Sequence, residues 1–349
     1  MSVVFYISGH GFGHASRSIE IINALVERRP GLEVIIRSSV APWLVERTAR
    51  KGVVLSPAEV DTGVVQLDSL HLDTDASIAR AEEFMATFQP RLATEVEFLR
   101  AHEAVLAISD LPALGIAAGH AAGIPSIATG NFTWDWIYER YQGGEHIASQ
   151  IGAIYRHTTF ALRMPMWGGF ETMPDVRDIP LVARRSRRDA DDVRKALGLP
   201  RRERIVLTSF GGYGIEGLNE EALRSLDGYH VLLPGVLDEH SMYDRGYRYE
   251  DLIAAVDVVA TKPGYGIISE CIANNTALLY TSRGEFREYH ALVDAMPKYL
   301  RSAFIDHADL FAGRWQAHLD GLLAQPAPST TPRTDGADVA ADILLDILG

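Results

Sequence analysis

Residues 6–21 read Tyr-Ile-Ser-Gly-His-Gly-Phe-Gly-His-Ala-Ser-Arg-Ser-Ile-Glu-Ile, so Gly9, Gly11 and Gly13 alternate with His10, Phe12 and His14. Glycines let a backbone turn sharply and approach a ligand closely. The helix expected after them offers free N–H groups and a positive dipole end, which suits a phosphate. Histidine brings a different chemistry, because a neutral imidazole can take a proton from a hydroxyl and a positive helix end keeps it neutral. His14 is therefore the candidate base, with His10 supporting the turn; capping or bracing of the loop by both is the plainer reading. Asp110 directly follows Val-Leu-Ala-Ile-Ser. An acid at the tip of a strand in the same sheet can reach the imidazole and fix its tautomer. It also reads as the N-cap of a helix starting near Pro112, and the two roles are compatible.

Two further glycine loops follow strands in the second half. In Thr-Ser-Phe-Gly-Gly-Tyr-Gly (208–214), the backbone around Ser209, Gly211 and Gly212 can hold a diphosphate. Thr-Lys-Pro-Gly-Tyr-Gly-Ile-Ile-Ser-Glu (261–270) repeats the arrangement, with Lys262, Gly264, Tyr265, Gly266 and Ser269 as candidate contacts. Glu270 lies about one turn into the next helix, where it either accepts hydrogen bonds from ribose hydroxyls or stands in solvent. Arg287, in the charged stretch 282–292, can meet sugar hydroxyls or a phosphate, or lie in a solvated loop. Asn131, Trp134 and Asp135, past another strand tip, join Gly11 and Gly13 as the acceptor side of a cleft. The dense aromatics Phe132, Trp134, Trp136, Tyr138 and Tyr141 also suit core or interdomain packing. The first loop has G-x-G-x-G rather than the dinucleotide spacing G-x-G-x-x-G, and Arg37-Ser38 stand where an acid is expected. An arginine there can accept a 2′-phosphate, which keeps an NADP-dependent oxidoreductase as an alternative.

These residues need elements to carry them. Strands are expected at Val3–Ser8, Glu33–Arg37, Val53–Leu55, Val105–Ser109 and Ser126–Thr129. They alternate with helices at 16–28, 42–50, 76–101 (with a break near Pro90) and 111–122 ending at Gly123. The pattern weakens over about 140–190 and restarts with strands at 205–209, 230–233, 256–261 and 277–280. The expected fold is α/β, with two Rossmann-like, doubly wound parallel sheets facing across a cleft. Domain 1–165 would hold the acceptor and 180–324 the nucleotide; 325–336 reads as a flexible linker and 337–349 as a final helix. The chain has 349 residues, 47% hydrophobic and 23% charged, with a net charge of −13. That balance argues against nucleic acid or anionic membrane as partner. Cys271 is the one cysteine, fitting a reducing, cytoplasmic setting. No signal peptide and no apolar run of transmembrane length is read, and the oligomeric state is not legible.

With these residues in view, the paired domains, the loop ending Gly13-His14 and Lys-Pro-Gly-Tyr-Gly-Ile-Ile-Ser-Glu (262–270) resemble the GT-B glycosyltransferases, especially the family 28 type. Longer strings resemble the N-terminal, glycosyltransferase-like half of plant L-arabinokinases: Tyr-Ile-Ser-Gly-His-Gly-Phe-Gly-His-Ala-Ser-Arg (6–17), Asn-Phe-Thr-Trp-Asp-Trp-Ile-Tyr-Glu-Arg-Tyr (131–141), the stretch 163–199 and Lys-Pro-Gly-Tyr-Gly-Ile-Ile-Ser-Glu-Cys-Ile-Ala (262–273). The resemblance implies a donor, expected to be UDP-linked, in the C-terminal domain and an acceptor in the N-terminal one. It implies His14 as base, Asp110 as its partner and Glu270 on the donor ribose. The kinase half of those proteins has no counterpart in these residues, so arabinose kinase activity is not carried over. Lys262-Pro263 and Arg287-Glu288 depart from the family's glutamine-rich sugar loop and leave the donor sugar open. The expectation is an inverting transferase needing no cofactor beyond the nucleotide sugar, and no metal. Asp73-Thr74-Asp75 has D-x-D spacing but sits in a polar stretch read as a loop without a strand before it, and Asp189-Ala190-Asp191 fits a helix start better. A non-catalytic nucleotide-sugar binding module is the alternative from another class.

Overall fold

The computed structural model describes residues 1–211, 214–237 and 239–349. Its first sheet takes β1 (Ser2–Ile7), β2 (Glu33–Ser38) and β3 (Val53–Pro57), then, past a small hairpin β4 (Val65–Gln66) and β5 (Leu72–Asp73), β6 (Ala104–Asp110), β7 (Ser126–Phe132), β8 (Phe160–Gly168) and β9 (Val176–Asp178). Seven of these strands pair in the order β3-β2-β1-β6-β7-β8-β9, all parallel. β1 is buried along its whole length, which is why it reads as an unbroken apolar run: helices cover both faces of a parallel sheet. The strand order reverses between β1 and β6, so the chain leaves these two tips in opposite directions and opens a crevice. Register sets Ile7 beside Asp110 at that crevice.

The second sheet holds β10 (Arg204–Ser209), β11 (Tyr229–Leu232), β12 (Val258–Thr261), β13 (Ala277–Tyr280) and β14 (Ser302–Phe304), ordered β11-β10-β12-β13-β14 and parallel throughout. Its reversal falls between β10 and β12, so the loops after these strands, both glycine-rich, flank the second crevice. The two doubly wound domains are those the sequence leads one to expect.

Several boundaries differ. The long helical region divides at Thr87 into Thr74–Ala86 and Phe88–Ala101. Pro90 therefore stands in the first turn of the second helix, where a missing N–H leaves no intrahelical bond unmade. Residues 325–336 have linker composition, yet their backbone is tied down: Leu181 N–H donates to Arg333 O at 3.1 Å and Val182 pairs with Asp335. Gly336 makes this possible, because a Cβ there would lie 2.2 Å from Pro180 O. The last helix, Gly336–Leu348, then lies along the first, Phe12–Arg28, with Arg28 pairing with Asp338 and Asp342 at 2.7 Å each.

The β4–β5 hairpin crosses from the first domain to the second. Leu70 at its tip is 3% exposed and packs in the second domain's core with Val206, Phe210 and Trp315. Ser69 Oγ lies 2.7 Å from Phe210 O and 2.5 Å from Gly214 O, on the loop after β10. Leu70→Ala is expected to cost about 2–5 kcal/mol of stability, read from the urea midpoint at constant m; a change below about 0.5 kcal/mol, the range of ordinary surface substitutions, would show that the hairpin is not part of that core. Among the described residues no helix is long and apolar enough to cross a membrane.

Candidate functional site

The first loop delivers His14 to the crevice. Gly11 caps the helix Phe12–Arg28 at φ 74°, a left-handed position that glycine takes without strain. His14 is thus in the helix's first turn, and Arg17 and Ser18, three and four residues on, share its face. All three reach Asp110. His14 Nδ1 lies 2.9 Å from Asp110 Oδ1. Arg17 donates through Nε at 2.8 Å and through Nη2 at 2.5 Å, and Ser18 Oγ donates at 2.7 Å. Asp110 has no solvent exposure. Burial alone would raise its pKa, but the charges of Arg17 and His14 and the bonds they donate hold the carboxyl well below the usual carboxylate range. Asp110 is not a helix cap, since the following helix begins behind Pro112. With Nδ1–H given to Asp110, the lone pair of His14 sits on Nε2, which has no partner among the described residues.

Aromatic rings fix the imidazole's plane. Trp134 stacks on it with centroids 6.0 Å apart, and Phe132 meets it edge-on at 5.5 Å. Trp134 Nε1 donates to Asp61 Oδ2 at 3.0 Å, and Ser8 Oγ donates to Asp61 Oδ1 at 3.0 Å. Burial pushes Asp61 up to about 6, against the lowering effects of Ser8, His14 and Trp134. The packing reading of the aromatic stretch is met, as Phe132, Trp134, Tyr138 and Tyr141 belong to one core cluster.

The two domains meet at this point. Asn131 accepts from Arg17 Nη1 at 2.5 Å and donates to Glu288 Oε1, in the second domain, at 2.8 Å. Glu288 Oε2 accepts from Arg283 Nη1 at 3.3 Å. A Cβ on Gly266 would stand 3.6 Å from the Cα of Gly13, so the start of the helix Tyr265–Asn274 faces the start of the first helix. Two positive helix ends converge on one gap, which favours an anion there. Lys262 stands at its edge, with Nζ 3.4 Å from Gln66 Oε1; burial, then the charge of Arg283, lowers its pKa to about 7. His10 stays neutral for the same two reasons, burial first, and its Nε2 is 3.2 Å from Gln66 Nε2.

The other candidates divide. Ser209 Oγ and Tyr249 OH lie 2.5 Å apart, and Gly211 is open at φ 75°; Gly212 lies outside the described residues. Ser269 Oγ donates to Gly266 O at 2.9 Å, inside its own helix. Tyr265 is buried, its hydroxyl oxygen accepts from Val182 N–H at 3.2 Å, and it lies under the Arg17 guanidinium, 5.4 Å from ring centre to Cζ. Glu270 is buried rather than solvated, and its Oε1 accepts from Arg184 Nε at 2.7 Å, leaving Oε2 without a partner among the described residues. Glu20, on the first helix, faces the same group: burial first, then the charges of Glu250 and Glu270, raise it to about 7 against the lowering effect of Arg184.

Arg287 is engaged by the first domain: Nη1 donates to Trp136 O at 2.5 Å and to Glu139 at 2.9 Å. Asp135 accepts from Thr172 Oγ1 at 2.8 Å and from Trp136 N–H at 2.9 Å, a helix-start role. Asp73 caps a helix by accepting from Ala76 N–H, and the segment before it is the strand β5 rather than a loop. Asp189 caps another by accepting from the N–H groups of Asp191 and Asp192. Arg37 is buried against Glu95, with Nε 3.0 Å from Oε2, so it offers no free cation for a 2′-phosphate and the dinucleotide alternative loses its anchor. Sequence reading missed Arg17, Ser18 and Asp61, and named Arg287 rather than Arg283 from the charged stretch 282–292. Of the three missed, only Arg17 and Ser18 carried a usable signal, their i+3 and i+4 spacing from His14.

No protein-family model matches the chain. It is similar to the L-arabinokinase of Arabidopsis thaliana, 31% identical over 356 residues that cover 97% of this chain and 34% of that protein. The chain thus spans about a third of the length of the curated relative it matches, in its N-terminal part. Among solved structures, the glycosyltransferase of kitacinnamycin superposes with a TM-score of 0.66 at 18% identity, covering 99% of this chain and 98% of that one. Medicago truncatula UGT71G1 complexed with UDP-glucose gives 0.63 at 13%, over 100% and 98%. Acinetobacter baumannii MurG gives 0.55 at 11%, over 99% and 100%. The fold is GT-B.

Proposed function

We propose that this GT-B chain moves a sugar from a nucleoside-diphosphate sugar to an acceptor hydroxyl, with inversion and without recourse to a metal ion. The observation that carries the reading is the buried His14–Asp110 pair, set at the switch point of one sheet and facing the donor-side helix start of the other. His14 Nε2 takes the acceptor's proton as its oxygen bonds to the anomeric carbon. The bond from that carbon to the diphosphate oxygen breaks, and the electron pair leaves with the nucleotide. One displacement from the face opposite the leaving group inverts the centre. Asp110 balances the imidazolium that forms. Lys262 and the backbone N–H groups around Gly211 and Gly264–Gly266 meet the charge developing on the diphosphate, while Glu270 Oε2 is placed to accept from ribose. UDP is the nucleotide we favour, being the one bound with the Medicago relative.

Binding without turnover is a second reading, favoured by one observation: His14 is only 6% exposed, so an acceptor must open a path to Nε2. Both readings expect UDP to raise the melting temperature. At a concentration of 100 times Kd the stabilisation is about 2.7 kcal/mol, a shift of roughly 2–4 °C for a chain of this size. Nucleotide release on adding acceptor hydroxyls separates the readings: transfer requires it, and its absence across a broad acceptor panel supports binding alone. No shift with UDP or any other nucleoside diphosphate defeats both.

A further inference from the structure

The donor side of the gap holds more buried positive charge than it neutralises. Arg283 is 8% exposed. Its Nη1 donates to Pro263 O at 3.3 Å and shares Glu288 at 3.3 Å, while Asn131 holds the other oxygen of that carboxylate. Among the described residues its Nε is buried with no partner, and so is the hydroxyl of Tyr141, a residue 3% exposed that feels the Arg283 charge. A buried donor left unmade is costly, more so when charged, so two such groups, close enough for the Arg283 charge to act on the Tyr141 hydroxyl, point to a ligand oxygen as their partner.

Position says which part of the ligand. On one side Arg283 Nη1 lies 3.9 Å from the Cβ position of Gly264, at the loop that would hold the diphosphate. On the other, the Arg283 guanidinium lies 4.3 Å over Phe286, Phe286 meets Phe132 at 5.9 Å, and Phe132 meets His14. A group between the leaving group and the base is the sugar itself. Resting on the nucleotide-sugar reading above, we propose that the transferred sugar is a hexuronic acid, whose carboxylate accepts from Arg283 Nε and Tyr141 OH. A planar carboxylate suits a guanidinium edge, and its charge offsets a cation that Glu288 only partly neutralises. Arg287, the arginine expected at the sugar from sequence, is committed to the other domain, and Arg283 takes the place.

The test is calorimetric titration of the purified chain with UDP, UDP-glucose, UDP-glucuronate, UDP-galactose and UDP-galacturonate. We expect one hexuronate to bind about 10-fold or more tighter than its neutral counterpart, the scale of a charge-assisted hydrogen bond. In Arg283→Gln that ratio should fall towards one. Tyr141→Phe, which leaves every buried ion pair in place, should lower it several-fold and serves if the arginine variant does not fold. Equal binding of acid and neutral sugars by the unaltered chain overturns the proposal. So does a ratio that survives both substitutions, and so does a loss in Arg283→Gln shared equally by UDP and every sugar, since the arginine would then serve the diphosphate. Failure of UDP itself to bind removes the nucleotide-sugar reading, and the hexuronate falls with it.

Discussion

His14→Ala is expected to lower sugar transfer by about 10²–10⁴-fold, the usual contribution of a positioned general base, while leaving the UDP-induced rise in melting temperature in place. The reason is geometric. Nδ1 is held by Asp110 and the ring plane by Trp134 and Phe132, so Nε2 keeps one direction. The substitution removes the imidazole that the proposal makes the proton acceptor but leaves the glycine loops of the second domain unaltered. Single-turnover nucleotide release, compared with UDP-induced thermal stabilisation, separates chemistry from binding. Activity within about threefold of the unaltered chain would remove His14 from the mechanism. A loss of UDP stabilisation together with activity would mean that the first loop supports the donor, a structural role for the histidine.

Much of this arrangement can be read along the chain, because its signals are local. β1 and β6 are apolar runs ending at a glycine loop and at an acid, and a strand buried on both faces has no other pattern available. His14 and Asp110 then follow from strand tips alone. Arg17 was legible only with the helix start known: once the helix begins at Phe12 rather than Ser16, positions 14, 17 and 18 fall on one face. The hairpin tip is different in kind. β4 and β5 are two residues each, too short for periodicity, and Leu70 is buried by a domain that begins more than a hundred residues later. Arg283 and Arg287 are equal candidates in sequence. Only the packing of the helix Glu288–Ala295 against β8 of the first domain sends one to Glu139 and leaves the other at the gap.

Asp110→Asn is expected to cost about 3–5 kcal/mol of stability, the usual penalty for removing one partner of a buried ion pair. Asn is the same size, so no cavity forms; the loss is electrostatic. Arg17 is 5% exposed and would keep its charge with one carboxamide oxygen in place of two carboxylate oxygens, while the amide N–H₂ would confront donors of Arg17, Ser18 or His14. The pH dependence has a definite sign. The folded-state pKa of Asp110 is depressed below its unfolded value, so its contribution is fully present above the unfolded pKa of about 3.9 and is lost only as pH falls through the lower folded value. The difference in stability between the unaltered chain and Asp110→Asn should therefore be flat from about pH 5.5 upwards, as far as the carboxyl is concerned, and shrink in more acid solution. Arg17→Met in the same background is the decisive control. If the penalty comes from an uncompensated guanidinium, the double variant should regain part of the loss, with a coupling of about 0.5–3 kcal/mol, the range for residues sharing one network. Additive losses from the two substitutions would instead assign the cost to hydrogen bonds made separately by His14 and Ser18. The transfer reaction should not recover with stability, because the double variant still lacks the anion that balances His14 when it holds the acceptor's proton.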